Sequence, residues 1–154
     1  MILRHDYQSI DILHYVTGDI HASGRITSDV SKSAKQSTTN YGDRYLYARE
    51  SPDVRYIQEG SAHLNNGVAR INLDPIFLEC VEADSELTPW VPLLTPGAPV
   101  QGLYVEQIDS TGFTVKEPTG TSNALFFWSL SAVRKGFAGI WLEEALEISK
   151  KISK

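Results

Sequence analysis

Between Asn40 and Val81 the chain switches between apolar and polar residues at every second position in three separate runs, and Gly, Pro or Asn punctuates each run. A period of two with turn residues at the ends is the pattern of short β-strands that bury one face. In the first run Tyr45, Tyr47 and Arg49 share a face, with Arg44, Leu46 and Ala48 opposite. In the second, Val54, Tyr56 and Gln58 oppose Arg55, Ile57 and Glu59; in the third, Ala69, Ile71 and Leu73 oppose Arg70 and Asn72. Asn65-Asn66-Gly67 separates the last two runs. Asn66-Gly67 accepts the positive φ that a two-residue hairpin turn demands, so the expectation is three consecutive antiparallel strands.

The rest of the chain extends this reading. Gly18-Asp19-Ile20-His21-Ala22-Ser23-Gly24-Arg25-Ile26 sets Ile20 and Ala22 on one face, and Ile26 repeats the phase after Gly24. Strands this short cannot cover an apolar face without neighbours, which suits chains wound about a common axis. Ser31 to Asn40 is polar and reads as a linker or an edge strand. Prolines at 89, 92, 96 and 99 forbid a central strand there, so Trp90 to Thr95 is expected as an edge strand or extended arm. Leu103–Ile108 and Gly112–Glu117 form a hairpin across Asp109-Ser110-Thr111, and Asn123–Val133 is a long strand with Phe126, Trp128 and Leu130 in phase. From Leu142 on, helix formers place Leu142, Ala145, Leu146, Ser149 and Ile152 along one stripe, acidic residues first and lysines last, so a short C-terminal helix is expected. The start, Ile2-Leu3-Arg4-His5-Asp6-Tyr7 and on to Tyr15, reads as a connector strand and suggests a fragment of a longer chain.

With 154 residues, 42% apolar and 21% charged, the chain can bury one real core. A net charge of −5 argues against general affinity for nucleic acid or anionic lipid, since both need a basic surface. No secretory signal and no apolar run of membrane-spanning length are found. Cys80 is the sole cysteine, and among Phe77, Leu78 and Val81 it is expected to be a buried small hydrophobe.

The order Tyr41-Gly42-x-Arg44-x-Leu46-Tyr47-Ala48-x-Glu50-Ser51-Pro52, then Glu59-Gly60, then Leu73-Asp74-Pro75-x-Phe77-x-Glu79-x-Val81, resembles a module near the ends of phage and prophage tail-fibre and minor tail proteins. The resemblance spans about Gly18 to Leu142, and the glycine-punctuated stretch is similar to segments of trimeric fibre stalks. It implies a non-enzymatic, trimeric fibre part near the host-contacting end, assembled in the host cytoplasm and located in the virion tail.

Each candidate for chemistry has a plainer reading. Ser28-Asp29 with Lys32 and Lys35 invites a lysine-activated serine and resembles the start of self-cleaving tail-spike chaperone segments, but a β-module follows it and a solvated linker is the better reading. His5, His14, His21 and His63 lack close ligand spacing, so no metal site is expected, with His21 on a threefold axis as the weak exception. Asp74, Glu79, Glu82, Asp84 and Glu86 are expected as solvated carboxylates rather than a glycosidase pair. Aromatics carry more: Trp90, Tyr104, Phe113, Phe126, Phe127, Trp128 and Trp141 could stack on sugar rings, most of them suit a core instead, and Trp90, Tyr104, Phe127 and Trp141 are taken as the sugar-binding candidates.

The expectation is therefore a mainly β chain. Residues 1–17 form a connector and 18–39 an entwined trimeric β-stalk with Ile20, Ala22 and Ile26 at its centre. Residues 40–141 form a β-sandwich-like head and 142–154 a short C-terminal α-helix. Its function would be host-surface attachment through a glycan, as a homotrimer joined to other tail proteins, with no cofactor, no catalytic residues, no nucleic acid and no membrane insertion. The alternatives are a polysaccharide-degrading tail spike, and a carbohydrate-binding or self-cleaving assembly-chaperone module.

Overall fold

A computed structural model describes residues 32–144. Ile20, His21, Ala22, Ile26, the expected connector, the Ser28-Asp29 pair and the expected helix from residue 145 on lie outside them. The described chain is mainly β, with eight strands and one short helix. It divides into two compact units, Met1–Arg49 and Glu50–Lys154, a boundary later than the expected head start at Asn40.

In the first unit the polar stretch is a strand, β1 (Ser33–Thr38), antiparallel to β2 (Gly42–Tyr47). The turn is held by Thr38, whose hydroxyl accepts from the Tyr41 N–H at 3.1 Å and donates to the Gly42 carbonyl at 2.8 Å. Lys35 pairs with Asp43 at 2.7 Å, and the Ser37 hydroxyl donates to the same carboxylate at 2.8 Å. Both faces of this ribbon are open: Tyr41, Tyr45, Leu46 and Tyr47 are all well exposed.

In the second unit six strands make two three-stranded antiparallel sheets. They are β3 (Arg55–His63), β4 (Val68–Asn72), β5 (Val91–Pro96), β6 (Tyr104–Asp109), β7 (Gly112–Lys116) and β8 (Leu125–Val133). One sheet runs β3-β8-β5 and the other β4-β7-β6. The middle strands carry the residues that most need covering: Phe126 and Leu130 on β8, Phe113 and Val115 on β7, all fully buried. They belong to one core cluster with Leu64, Ile71, Leu73, Trp90 and Trp128, and Phe113 meets the Trp128 ring edge-on at 5.7 Å between centroids. Burying each of these four side chains contributes about 1.5–3 kcal/mol. Pro92 and Pro96 confine β5 to its sheet's edge, as expected.

Two expectations about connection are corrected. The three runs are strands, but they do not pair with one another: β2 pairs with β1, β3 with β8, and β4 with β7. Asn66 (φ 49°) and Gly67 (φ 79°) do form the tight turn, closed by reciprocal hydrogen bonds between Asn65 and Val68. Yet it passes the chain from one sheet to the other, because Gly67 bonds to Glu117 and Ser122 and so draws the β7–β8 connection alongside. After β4 the chain enters α1 (Pro75–Cys80), whose first turn is capped by Asp74, accepting from the Ile76 and Phe77 N–H groups. Cys80 ends that helix exposed rather than buried, while Val81 turns inward to bridge Arg134. At the other end Leu142, the expected first residue of the C-terminal helix, has φ 46°, outside the right-handed helical region, and donates its N–H to the Pro52 carbonyl.

Candidate functional site

Of the four aromatic candidates, Tyr104 is on β6 and Phe127 on β8, while Trp90 precedes β5 and Trp141 follows β8 in irregular chain. Trp90 is 5 % exposed; its indole N–H donates to the Glu82 carbonyl at 2.9 Å and its backbone N–H to the Asp84 carboxylate at 2.8 Å. With both faces packed it offers no stacking surface, which removes it from the sugar-binding set. Tyr104 is half-exposed at the start of the edge strand β6, opposite Lys116, whose ammonium pairs with Glu106. Glu106 raises the Lys116 pKa above its ordinary 10.5. Trp141 is exposed beyond β8.

Phe127 has the most developed surroundings. Because Trp128 turns inward, Phe127 must turn outward, and it is 49 % exposed at the middle of the β3-β8-β5 sheet. Residues paired across a sheet share a face, so Ser61 and Thr95 flank it; the next rows are Glu59, Ser129 and Leu93, then Ile57, Ser131 and Val91. Ile57, Val91 and Leu93 are exposed as well. Arg55 closes one end, tied to Asp53 at 2.7 Å and to the Ser131 and Pro89 carbonyls. The result is an open face with one aromatic ring among hydroxyls and aliphatic side chains, the mixture that takes the flat apolar side of a ring bearing hydroxyls at its rim.

Three of the five carboxylates noted in the sequence have structural work. Asp74 caps α1, Asp84 holds Trp90, and Glu82 accepts the Gly136 N–H at 2.6 Å. His63 is exposed, its Nδ1 3.2 Å from the Asn123 carbonyl. Among the described residues no three His, Cys, Asp or Glu gather to hold a metal ion. Nor is any described helix long and apolar enough to cross a membrane.

Sequence reading missed a carboxylate of another kind. Glu117, just after β7, is 6 % exposed and accepts backbone N–H bonds from Gln101 at 2.6 Å and from Ser122 at 3.1 Å. The Gln101 bond chiefly, and then Ser122, hold its carboxyl below the ordinary 4.5 against the opposing effect of burial. It lines an open cleft of about 660 Å3 with Pro99, Val100, Gln101, Thr119, Gly120, Thr121 and Ser122. The walls are the β5–β6 and β7–β8 connections, and the Asn66-Gly67 turn braces the second through bonds from Gly67 to Ser122 and from Glu117 to Gly67. The one sequence signal was Gly120: a Cβ there would lie 1.8 Å from the Glu117 carboxyl carbon.

Compared with models of known families, with curated proteins and with solved structures, the chain matches none.

Proposed function

We propose that this chain is a non-enzymatic structural module of a phage tail fibre, a homotrimer that attaches to a host-surface glycan. The observation that carries the reading is that strands in both units leave apolar faces uncovered. In the β1–β2 ribbon Tyr41, Tyr45, Leu46 and Tyr47 are 59–71 % exposed. A two-stranded ribbon bare on both sides is marginal in water, and two further copies about a threefold axis supply its cover. In this reading the stalk expected over residues 18–39 belongs to the same trimer, and the two sheets of the second unit serve as a sandwich-like head.

On that head the outer face of β3-β8-β5 is the receptor surface, with Phe127 as its stacking ring and Ser61, Ser129 and Thr95 as hydroxyl partners. Binding of the full chain to an array of bacterial surface polysaccharides tests this reading. The wild-type chain is expected to be retained and Phe127→Ala to lose at least tenfold in retention, one stacked ring being worth about 1–1.5 kcal/mol per chain and more in a trimer. Equal retention of the two, or none of either, contradicts it.

A further inference from the structure

The cleft beside Glu117 is more than a strap between two loops. The strap accounts for two N–H bonds, one on each carboxylate oxygen. An ionised carboxylate accepts about four, so about half its capacity is left. Beneath the same cleft the Ser122 hydroxyl is fully enclosed and has no hydrogen-bond partner. It lies near enough to Glu117 to favour the ionised carboxylate, yet makes no bond of ordinary geometry with it. Folded proteins seldom leave such a group without a full hydrogen bond, and a buried charge with spare lone pairs beside an enclosed, underused hydroxyl is a costly arrangement for a strap alone.

The lining decides what would complete it. No Lys, Arg or His lines the cleft, and Glu117 repels anions. Thr119, Thr121, Gln101 and Ser122 each both donate and accept, which suits hydroxyl groups; an ammonium only donates and would leave those donors idle. Pro99 and Val100 give an aliphatic wall. The volume lies within the roughly 300–1,000 Å3 of small-molecule sites. Gly120 lets the carboxylate lie flat on the backbone, where any side chain would displace it.

We propose that this cleft binds one uncharged polyhydroxylated ring, a single sugar unit, with Glu117 accepting from its hydroxyls and Ser122 rotating about χ1 to bond it. The inference rests on the attachment reading only for the use made of the sugar; the cleft is lined by loop residues and Phe127 is not among them.

The test is an NMR titration of the full chain with D-glucose, D-galactose, D-mannose and N-acetyl-D-glucosamine, each to about 50 mM, which detects even millimolar affinity. At least one sugar is expected to shift the Gln101 and Ser122 amides saturably. Ser122→Ala should leave the melting temperature close to that of the wild type, since the hydroxyl it deletes makes no full hydrogen bond, and weaken the sugar about fivefold or more. Phe127→Ala should leave this binding unchanged. Saturation by none of the four, saturation by ethylammonium instead, or an unaltered affinity in Ser122→Ala overturns the proposal. A silent cleft with polysaccharide retention intact defeats this inference alone; a saturable cleft with no retention on the array defeats the attachment reading alone.

Discussion

Gly60 on β3 and Trp128 on β8 are register partners, and the Trp128 indole occupies the space a side chain at Gly60 would need. A Cβ built at Gly60 lies 2.7 Å from Trp128 Cζ2, and that ring is fixed edge-on against Phe113. The glycine thus sets how closely β3 can lie under one of the two core tryptophans.

Gly60→Ala is expected to destabilise the second unit by about 1–3 kcal/mol, the usual cost of overpacking a core. Urea unfolding should show a lower midpoint with an unchanged slope. Adding Trp128→Phe should recover part of the loss, since the smaller ring vacates the clash, and the coupling in that double-mutant cycle reads the contact directly.

Phe126 and Phe127 are adjacent and should behave oppositely. Phe126 is fully buried, so Phe126→Ala should cost about 3–5 kcal/mol. Phe127→Ala should change stability by about 0.5 kcal/mol or less, because the half-exposed ring packs on one side only. Thermal unfolding of the two variants checks this, and comparable losses would contradict the assignment of faces.

Much of this division of faces was legible from sequence, because bulky alternation along Phe126, Trp128 and Leu130 leaves one way to bury three large side chains. The edge position of β5 was legible for a similar reason, since Pro92 and Pro96 remove ladder donors. What was not legible is pairing across distance. Asn66-Gly67 announces a turn, but nothing local says that its arms part into different sheets. Asp74-Pro75 is a helix cap followed by a first-turn proline, a signal submerged in a β context. Trp90, set between prolines, looked exposed until Asp84 and Glu82 were seen to satisfy its polar groups. Glu117 was missed because its partners, Gln101 and Ser122, lie on separate loops that only the fold brings together.

Gly67 should tolerate no substitution. Its φ is 79°, and an added Cβ would meet the Gly120 carbonyl oxygen at 2.3 Å, backbone that cannot yield without opening the Glu117 cleft. Gly67→Ala is expected to lower stability by about 1–3 kcal/mol, as left-handed strain and the clash add. Melting temperature reads the loss, and the Gln101 and Ser122 amide shifts should move with it.

Acid should weaken the second unit through its low-pKa carboxylates. Glu117 is held below 4.5 by the Gln101 bond, so the unfolded chain binds its proton more readily than the folded one. The stabilisation is complete above pH 4.5 and is lost as pH falls below it through the folded value. Asp109, bonded first by Arg70 and then by Thr111, lies well below its ordinary 3.8 and gives up its share at still lower pH. Melting temperature should therefore fall on acidification from pH 5, and Glu117→Gln should fall less steeply over the first part of that range. An identical slope in the variant would contradict the role given to Glu117.

The bare ribbon of β1 and β2, where Tyr45, Leu46 and Tyr47 have no cover from their own strands, is the surface that further copies of the chain would cover. Sedimentation equilibrium of the full chain at micromolar concentration weighs it directly. A single species at three times 17.1 kDa is the predicted result, and a stable monomer of 17.1 kDa would contradict it.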